Sequence, residues 1–508
     1  MMAEEVPLEE FDDLEENFIH DGKTCTWKLR GNSLTWIFTQ QKSKYNPLIT
    51  TDIRDIVAIR SVKTDHYFLK NQHHSKNKVS HSSTAVLDGS TLKSCSSLEI
   101  HYAKYKDTKI SLQKIVLCHS EPSTVIKWTE VIKQRIDSIT NRPKSLLVFL
   151  NPCGGKKQAP KIYEKIVQPL FALAEIKVDL ITTEYANHAR DFLVDNGWKN
   201  YDGVVCVGGD GTFSEVVNGI IARIVKENNL DPNDPQCTIP SLLDLKLGII
   251  PAGSTDTVVY SLHGTGDVLT AAFHVLCGDF IKSDICSVHN EKNYLCCFIS
   301  LISYGYLGDI IKHSRSLRCL GPKRYDLVGA IQFIFHQSYE GTVSYLKDSD
   351  ASPDIICKKN DCHCASKTNE NQPETKWEHI RGQFFMVTAA NISCSCGRSP
   401  NGISPYGHFA DGYLHLVLIR RVTFLKKIKL LYTLSSKNRF VNELSFVEMY
   451  KTRLFKFETG YGSGVIPATN ISSWNVDGEL ITIPHLQVRC HHQIINLFCR
   501  RRLNETSK

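Results

Sequence analysis

The stretch VVCVGGDGTFSEVVNG, Val204 to Gly219, decides the fold. DGVVCVG reads as a buried strand and TFSEVVNGIIARIVKE as a helix, so three glycines lie where a parallel strand passes into its crossover helix. Gly208, Gly209 and Gly211 let the chain turn sharply and approach a ligand closely, while the helix beginning at Thr212 and Phe213 offers its positive end to an anion. Asp210 stands in the middle of this turn. Among phosphates a carboxylate would be repelled unless it held a magnesium ion or took a proton from an attacking hydroxyl, which points to a kinase. Aspartate is also a favoured helix cap, and that alternative stays open.

Working outward, SLLVFLN, KVDLITTE and LKLGIIPAG read as further strands, with APKIYEKIVQPLFALA and NHARDFLVDNG as helices between them. This alternation predicts a parallel sheet with helices on both faces. From about Phe280 the runs become short and strand-like, which predicts a second, mostly antiparallel β lobe with a polar insertion from about Lys347 to Glu378. NYLCCFISLISYGYLG, Asn293 to Gly308, falls short of the roughly 20 residues of a spanning helix and reads as a buried strand. Upstream, Thr24 to Ile139 alternates strand-like runs with polar turns and ends in a helix with Val125, Trp128, Val131 and Ile132 on one face. A small strand sandwich closed by one helix is expected, with Asn71 to Ser97 as a long polar loop. The expected fold is therefore multidomain: a β-sandwich with a closing helix over 15–140, an α/β parallel-sheet nucleotide lobe over 141–279, and a β-rich substrate lobe over 280–503.

Composition bounds the chemistry. The 508 residues carry 60 Lys and Arg against 53 Asp and Glu, a net charge of +7. That mild excess suits anionic membranes or nucleotides and is too diffuse for nucleic acid. The 18 scattered cysteines and an acidic start without an apolar core predict reduced thiols in the cytosol. On that expectation the Asn-X-Ser/Thr sequons at Asn391, Asn470 and Asn504 are chance matches.

Two more glycine-bearing turns follow strands of the predicted parallel sheet, where open α/β sheets bind their ligands. NPCGGKKQ, Asn151 to Gln158, offers backbone N–H groups and two lysines to phosphate, yet matches neither a Walker motif nor the dinucleotide fingerprint. PAGSTD, Pro251 to Asp256, adds the hydroxyls of Ser254 and Thr255. Far downstream, SSWNVDGEL places Asp477, Gly478 and Glu479 at a hairpin.

GGDGT, with the preceding NPCGGK and the later PAGSTD, resembles the diacylglycerol kinase catalytic superfamily of lipid and sphingoid kinases. YGYLGDII, NISCSCGRSP and SSWNVDGE make the resemblance close to its ceramide kinases over nearly the whole chain. The first domain resembles a pleckstrin homology domain, with Trp128 as the closing-helix tryptophan and Lys28 and Arg30 as cations for an inositol phosphate headgroup.

The resemblance implies ATP- and magnesium-dependent phosphorylation of the primary hydroxyl of ceramide, with Asp210 as the catalytic base. It implies ATP contacts from Asn151, Pro152, Cys153, Gly154 and Gly155, from Thr183 and Glu184, and from Gly208, Gly209, Gly211 and Thr212. Ser254, Thr255, Arg318, Arg324, Asp477, Gly478 and Glu479 complete that set. Asp309 lies where substrate is bound in the family, although a second acid used by sphingosine kinases appears here as Ile311. A sphingosine or diacylglycerol kinase would share every nucleotide residue, and a catalytically silent lipid- or protein-binding relative is the alternative of another class.

Two features remain beside this reading. Cys357, Cys362, Cys364, Cys394 and Cys396 lack the paired spacing of a zinc site, and whether they bind metal stays open. The run RRVTFLKKIKLLYTL, Arg420 to Leu434, mixes apolar residues with cations as calmodulin-binding helices do, and the family is associated with calcium and calmodulin. A helix of the second lobe with a solvated basic face is the alternative. The expected location is cytoplasmic, peripheral on membranes such as the Golgi or plasma membrane, with anionic lipids or phosphoinositides as partners of the first domain.

Overall fold

In the strand Lys23–Arg30, Cys25, Trp27 and Leu29 are buried while the residues between them are not, the period of two that a half-solvated antiparallel sheet requires. The computed structural model describes residues 13–38, 48–64, 95–242, 244–321, 323–335, 338–347, 376–460 and 471–500. They divide into two units, 1–142 and 143–508.

In the first unit seven antiparallel strands run in the order 49–52, 33–38, 23–30, 14–20, 109–119, 95–106 and 56–64. The helix Pro122–Asp137 lays Val125, Trp128, Ile132 and Ile136 into the core. Trp128 meets Phe18 edge-on at 5.3 Å, and Trp27 stacks on Trp36 at 4.4 Å. The strand Leu14–His20 escapes sequence reading because only Leu14 and Phe18 of LEENFIH are buried. The strand Cys95–Lys106 begins inside the stretch expected to be a loop, Asn71 to Ser97, whose residues 71–94 lie outside the described part.

The second unit contains the parallel sheet expected from the strand and helix alternation. Lys177–Thr182, Ser145–Leu150, Gly203–Gly208 and Lys246–Pro251 stand side by side in that order, all parallel. Between the first two strands in sequence, Ala159–Ile162 and Gln168–Leu173 are joined through a π turn at Tyr163–Val167. Pro169 cannot donate the N–H that would continue the regular ladder, so the helix loosens one turn before it.

The strand His485–Phe498 links the parallel strands to the antiparallel ones. It pairs in parallel with Lys246–Pro251, at Lys246 with Asn496 and Leu247 with Leu497, and antiparallel with Phe280–His289 and Leu454–Thr459. One mixed sheet therefore runs from the parallel strands into the β-rich region. Asn293 to Gly308 is two strands, Tyr294–Phe298 and Leu301–Gly305, followed by the helix Tyr306–Ser314, where the sequence suggested one strand. Gly305, at φ 84°, adopts the left-handed backbone that turns strand into helix. The strand Tyr339–Lys347 pairs along its whole length with the first part, 376–384, of Lys376–Ala390; the insertion between them, 348–375, lies outside the described residues. Among the described residues no helix is long and apolar enough to cross a membrane.

Candidate active site

Four loops meet at the C-terminal ends of the four parallel strands. The strand ladder carries on into them: Asn151 N–H donates to Val207 C=O, Thr183 N–H to Leu150 C=O, and Ala252 N–H to Gly208 C=O at 2.8–3.1 Å. Asn151 organises the first loop. Its Oδ1 accepts the N–H groups of Cys153 and Gly154, both at 3.0 Å, and its Nδ2 donates to Thr212 Oγ1 at 2.8 Å, tying the first loop to the second.

Two of the glycines are required by backbone contact between loops rather than by a ligand. A Cβ on Gly209 would lie 2.9 Å from Gly253 Cα, and one on Gly253 would lie 2.6 Å from Gly209 Cα. Only a pair without side chains can cross at that distance. Gly155, at φ 53°, comes similarly close to the carbonyl of Ala252. Gly211 differs, because a side chain there would meet nothing within 4 Å. It borders a cavity of about 270 Å³ also lined by Asn187, Arg190, Glu215, Asn218 and Glu479. Thus the GGDGT turn and the DGE hairpin, more than 250 residues apart in the chain, face one cavity.

Asp210 is half-buried at the start of the helix Asp210–Glu227, whose N-cap, Gly209, supplies no side-chain bond. Its Oδ2 accepts from Thr257 N–H at 2.9 Å and its Oδ1 from Val258 N–H at 3.0 Å, so it caps the next helix, Thr257–His263, rather than its own. Burial pushes its carboxyl up to about 6, against the pull of those two N–H groups. Asp256, which stands at φ 54° and accepts Gly253 N–H at 3.0 Å, is pushed up to about 7 by burial and by the charge of Asp210. Two mutually opposed carboxyls therefore sit beside the glycine loops.

Asp477 is buried, and burial raises its carboxyl. It accepts the N–H groups of Ile299, Ser300 and Leu301 at 2.8–3.0 Å together with the Ser300 hydroxyl, pinning the turn between Tyr294–Phe298 and Leu301–Gly305. Gly478, at φ 93°, closes the hairpin, and exposed Glu479 pairs with Arg315 at 3.5 Å. Asp309 is buried in the helix Tyr306–Ser314, where it accepts Tyr339 Oη–H and Ser472 Oγ–H, both at 2.7 Å.

The remaining expected contacts differ in burial and in partners. Thr183 is buried and bonds Leu150 C=O, while Glu184, Ser254 and Thr255 are exposed. Arg324 lies over the Tyr325 ring at 4.6 Å and donates to its hydroxyl at 2.6 Å, and its buried Nε has no partner among the described residues. The side chain of Arg318 lies outside the described part. Asp256, Glu215, Tyr339 and Ser472 were missed by sequence reading. The first two lie inside the quoted motifs, where their acid side chains were the available signal; Ser472 opens the quoted SSWNVDGEL but carries no charge to mark it, and Tyr339 comes from a distant strand.

Of the cysteine cluster, Cys357, Cys362 and Cys364 lie outside the described residues, while Cys394 is buried and donates to Ser300 C=O at 3.4 Å. Among the described residues no group of three or more His, Cys, Asp or Glu side chains could hold a metal ion. Asn391 is fully buried and donates to the carbonyls of Asp284 and Ile299, which leaves no room for a glycan.

Residues 145–288 match the diacylglycerol kinase catalytic domain and 337–507 the ceramide kinase C-terminal domain. Human ceramide kinase is 38% identical over 429 residues, covering 76% of this chain and 77% of its own. The human ceramide kinase-like protein is 28% identical over 522 residues, covering 94% and 88%. A solved putative diacylglycerol kinase from Bacillus anthracis str. Sterne superposes with a TM-score of 0.47 at 15% identity, covering 71% of this chain and 96% of that one. On the two domain matches and the 38% identity to human ceramide kinase over most of both chains, the chain belongs to the ceramide kinase family.

Proposed function

We propose that the protein transfers the γ-phosphoryl group of ATP to the primary hydroxyl of ceramide, giving ceramide 1-phosphate and ADP. The match of residues 337–507 to the ceramide kinase C-terminal domain, beside a lipid kinase catalytic domain, carries this reading. The free N-terminal turn of Asp210–Glu227 and the glycine loops bind phosphate, and Glu215 and Glu479 line the cavity that receives the rest of the nucleotide. As the ceramide oxygen bonds to the γ-phosphorus, the bond to the β,γ-bridging oxygen breaks and the hydroxyl proton passes to Asp210. Positioning and charge neutralisation supply most of the acceleration in phosphoryl transfer. Magnesium, bound with ATP, would neutralise phosphate charge; Asp256 would hold it, since a cation relieves the opposition between its carboxyl and that of Asp210. The reading is tested by offering ceramide, sphingosine and diacylglycerol side by side with labelled ATP. Preferential labelling of either of the other two lipids would overturn it.

Arg318 and Arg324 are proposed to meet the ATP phosphates. The unpartnered Nε of Arg324 supports this, because a buried guanidinium nitrogen is costly until an acceptor arrives. Arg324→Ala is expected to raise the KM for ATP roughly 10- to 100-fold with little change in Tm. Unaltered kinetics would remove it from the site.

The first unit is proposed to act as a pleckstrin homology-like module that brings the enzyme to anionic or phosphoinositide-bearing membranes on the cytosolic side. Its one closing helix and its seven antiparallel strands support this. Arg30 is exposed, while Lys28 is half-buried and paired with Glu15 at 2.8 Å, so headgroup binding would exchange that partner. Lys28→Ala with Arg30→Ala should weaken co-sedimentation with phosphoinositide vesicles, most at low salt. Salt-independent, unchanged sedimentation would end the idea. Calcium control through calmodulin is proposed for Arg420 to Leu434. It requires the helix Phe424–Ser435 to leave its seat, because Lys427, Leu430 and Thr433 are buried. Absence of a calcium-dependent complex with calmodulin would exclude it.

A further inference from the structure

Two neighbouring helices of the second unit turn large apolar side chains outward. Lys323–Phe335 exposes Leu327, Ile331, Ile334 and Phe335, and Phe424–Ser435 exposes Phe424, Leu425, Ile428, Leu431 and Tyr432. Phe335 and Leu425 are 75% and 76% exposed, more than a soluble surface gains from isolated apolar residues. The spacing 327, 331, 334 on one helix and 425, 428, 432 on the other makes a stripe along each. The helices touch: Phe333 meets Phe424 edge-on at 5.7 Å, and Lys427 Nζ donates to Phe333 C=O at 3.3 Å.

The charge around this face is predominantly positive. From Arg420 to Asn442 the chain carries seven Lys and Arg and no Asp or Glu. Lys426 and Lys429 are exposed on the same helix as the apolar stripe. Arg420 is engaged by Glu448, and Asp326, on the other helix, is held by Arg398. An apolar stripe flanked by cations is the pattern that settles at an anionic lipid–water interface. A second copy would oppose one basic face with another. A protein that wraps a target helix would meet only the outer side of Phe424–Ser435. A bilayer needs only the outer side, and takes both helices at once.

We propose that this two-helix face is a docking surface by which the kinase unit seats itself on an anionic lipid bilayer. Its position gives the docking a consequence. Lys323–Phe335 packs on the helix Tyr306–Ser314, where Tyr306 Oη–H donates to Gly329 C=O at 3.1 Å, and that helix carries Asp309. Seating the face on lipid therefore sets the Asp309 helix next to the membrane. The proposal holds for any membrane lipid acceptor and is separate from recruitment by the first unit.

The test uses the full chain with phosphatidylcholine vesicles, with or without phosphatidylserine and free of phosphoinositides. In Leu425→Trp and Ile331→Trp, the added tryptophan should shift to the blue and be quenched by brominated acyl chains, more strongly with phosphatidylserine. Leu425→Glu with Ile428→Glu should weaken vesicle binding roughly tenfold or more while turnover of a dispersed short-chain ceramide stays unchanged. Absence of quenching at both positions overturns the proposal, even if the glutamate variant fails to fold. It is equally overturned if the face is instead covered by a second copy, seen as a dimer that the glutamates dissociate. If no ceramide is turned over by the unaltered enzyme, the functional reading fails while the quenching still decides the docking.

Discussion

Asp210→Asn lowers kcat by roughly 10²- to 10⁴-fold, the usual worth of a positioned general base, which is about 3–5 kcal/mol of barrier. The variant stays folded and binds ATP. One amide oxygen can still accept Thr257 or Val258 N–H, while the amide NH₂ faces the other N–H, so about 1–2 kcal/mol of stability is lost. Because burial pushes the carboxyl up to about 6, it is charged above that pH and protonated below it. kcat/KM for the unaltered enzyme therefore falls as pH drops below about 6, and the residual rate of the variant lacks that limb. Steady-state kinetics across pH, with calorimetry of ATP binding, checks both parts. Near-normal turnover by the variant would leave Asp210 as a helix cap alone.

Within the DGE hairpin the two acids should behave oppositely. Asp477→Ala strips the acceptor from three backbone N–H groups and one hydroxyl in a buried site, at a cost on the order of 3 kcal/mol or more. For a unit of this size that lowers Tm by roughly 4 °C or more. Glu479→Ala removes an exposed side chain from the cavity wall, so it leaves Tm within about a degree and raises the KM for ATP instead. Melting curves and ATP titrations of the two variants separate the roles. A stable Asp477→Ala protein with only a raised KM would mean that the carboxylate serves the nucleotide before it serves the fold.

Sequence periodicity made three of the parallel strands legible because Ser145–Leu150, Gly203–Gly208 and Lys246–Pro251 are apolar, buried runs, and the loops followed from strand ends; Lys177–Thr182, half polar and largely exposed, showed itself by its place between two helices. Asp210 stood out because a carboxylate interrupts a glycine turn, whereas the DGE hairpin drew notice only through the resemblance to the family. Periodicity could not reveal that Asp210 bonds the helix after the third loop, because that contact joins residues 47 apart through the sheet. Nor could it separate Asp477 from Glu479, which are two residues apart yet differ completely in burial. Asp309 lay in a recognisable motif, but its partners Tyr339 and Ser472 are 30 and 163 residues away. Leu14–His20 failed for a local reason: its inward positions alternate with too much charge for a period of two to stand out.

The strand His485–Phe498 has a consequence for biosynthesis. It lies beside Lys246–Pro251, so the edge of the parallel sheet stays without this neighbour until more than 230 further residues have left the ribosome. Bare strand edges are templates for intermolecular pairing, and contacts of such long sequence separation form slowly. The nascent kinase unit thus holds an adhesive margin throughout the synthesis of its second lobe, and its yield in a cell is governed by how well that margin is shielded.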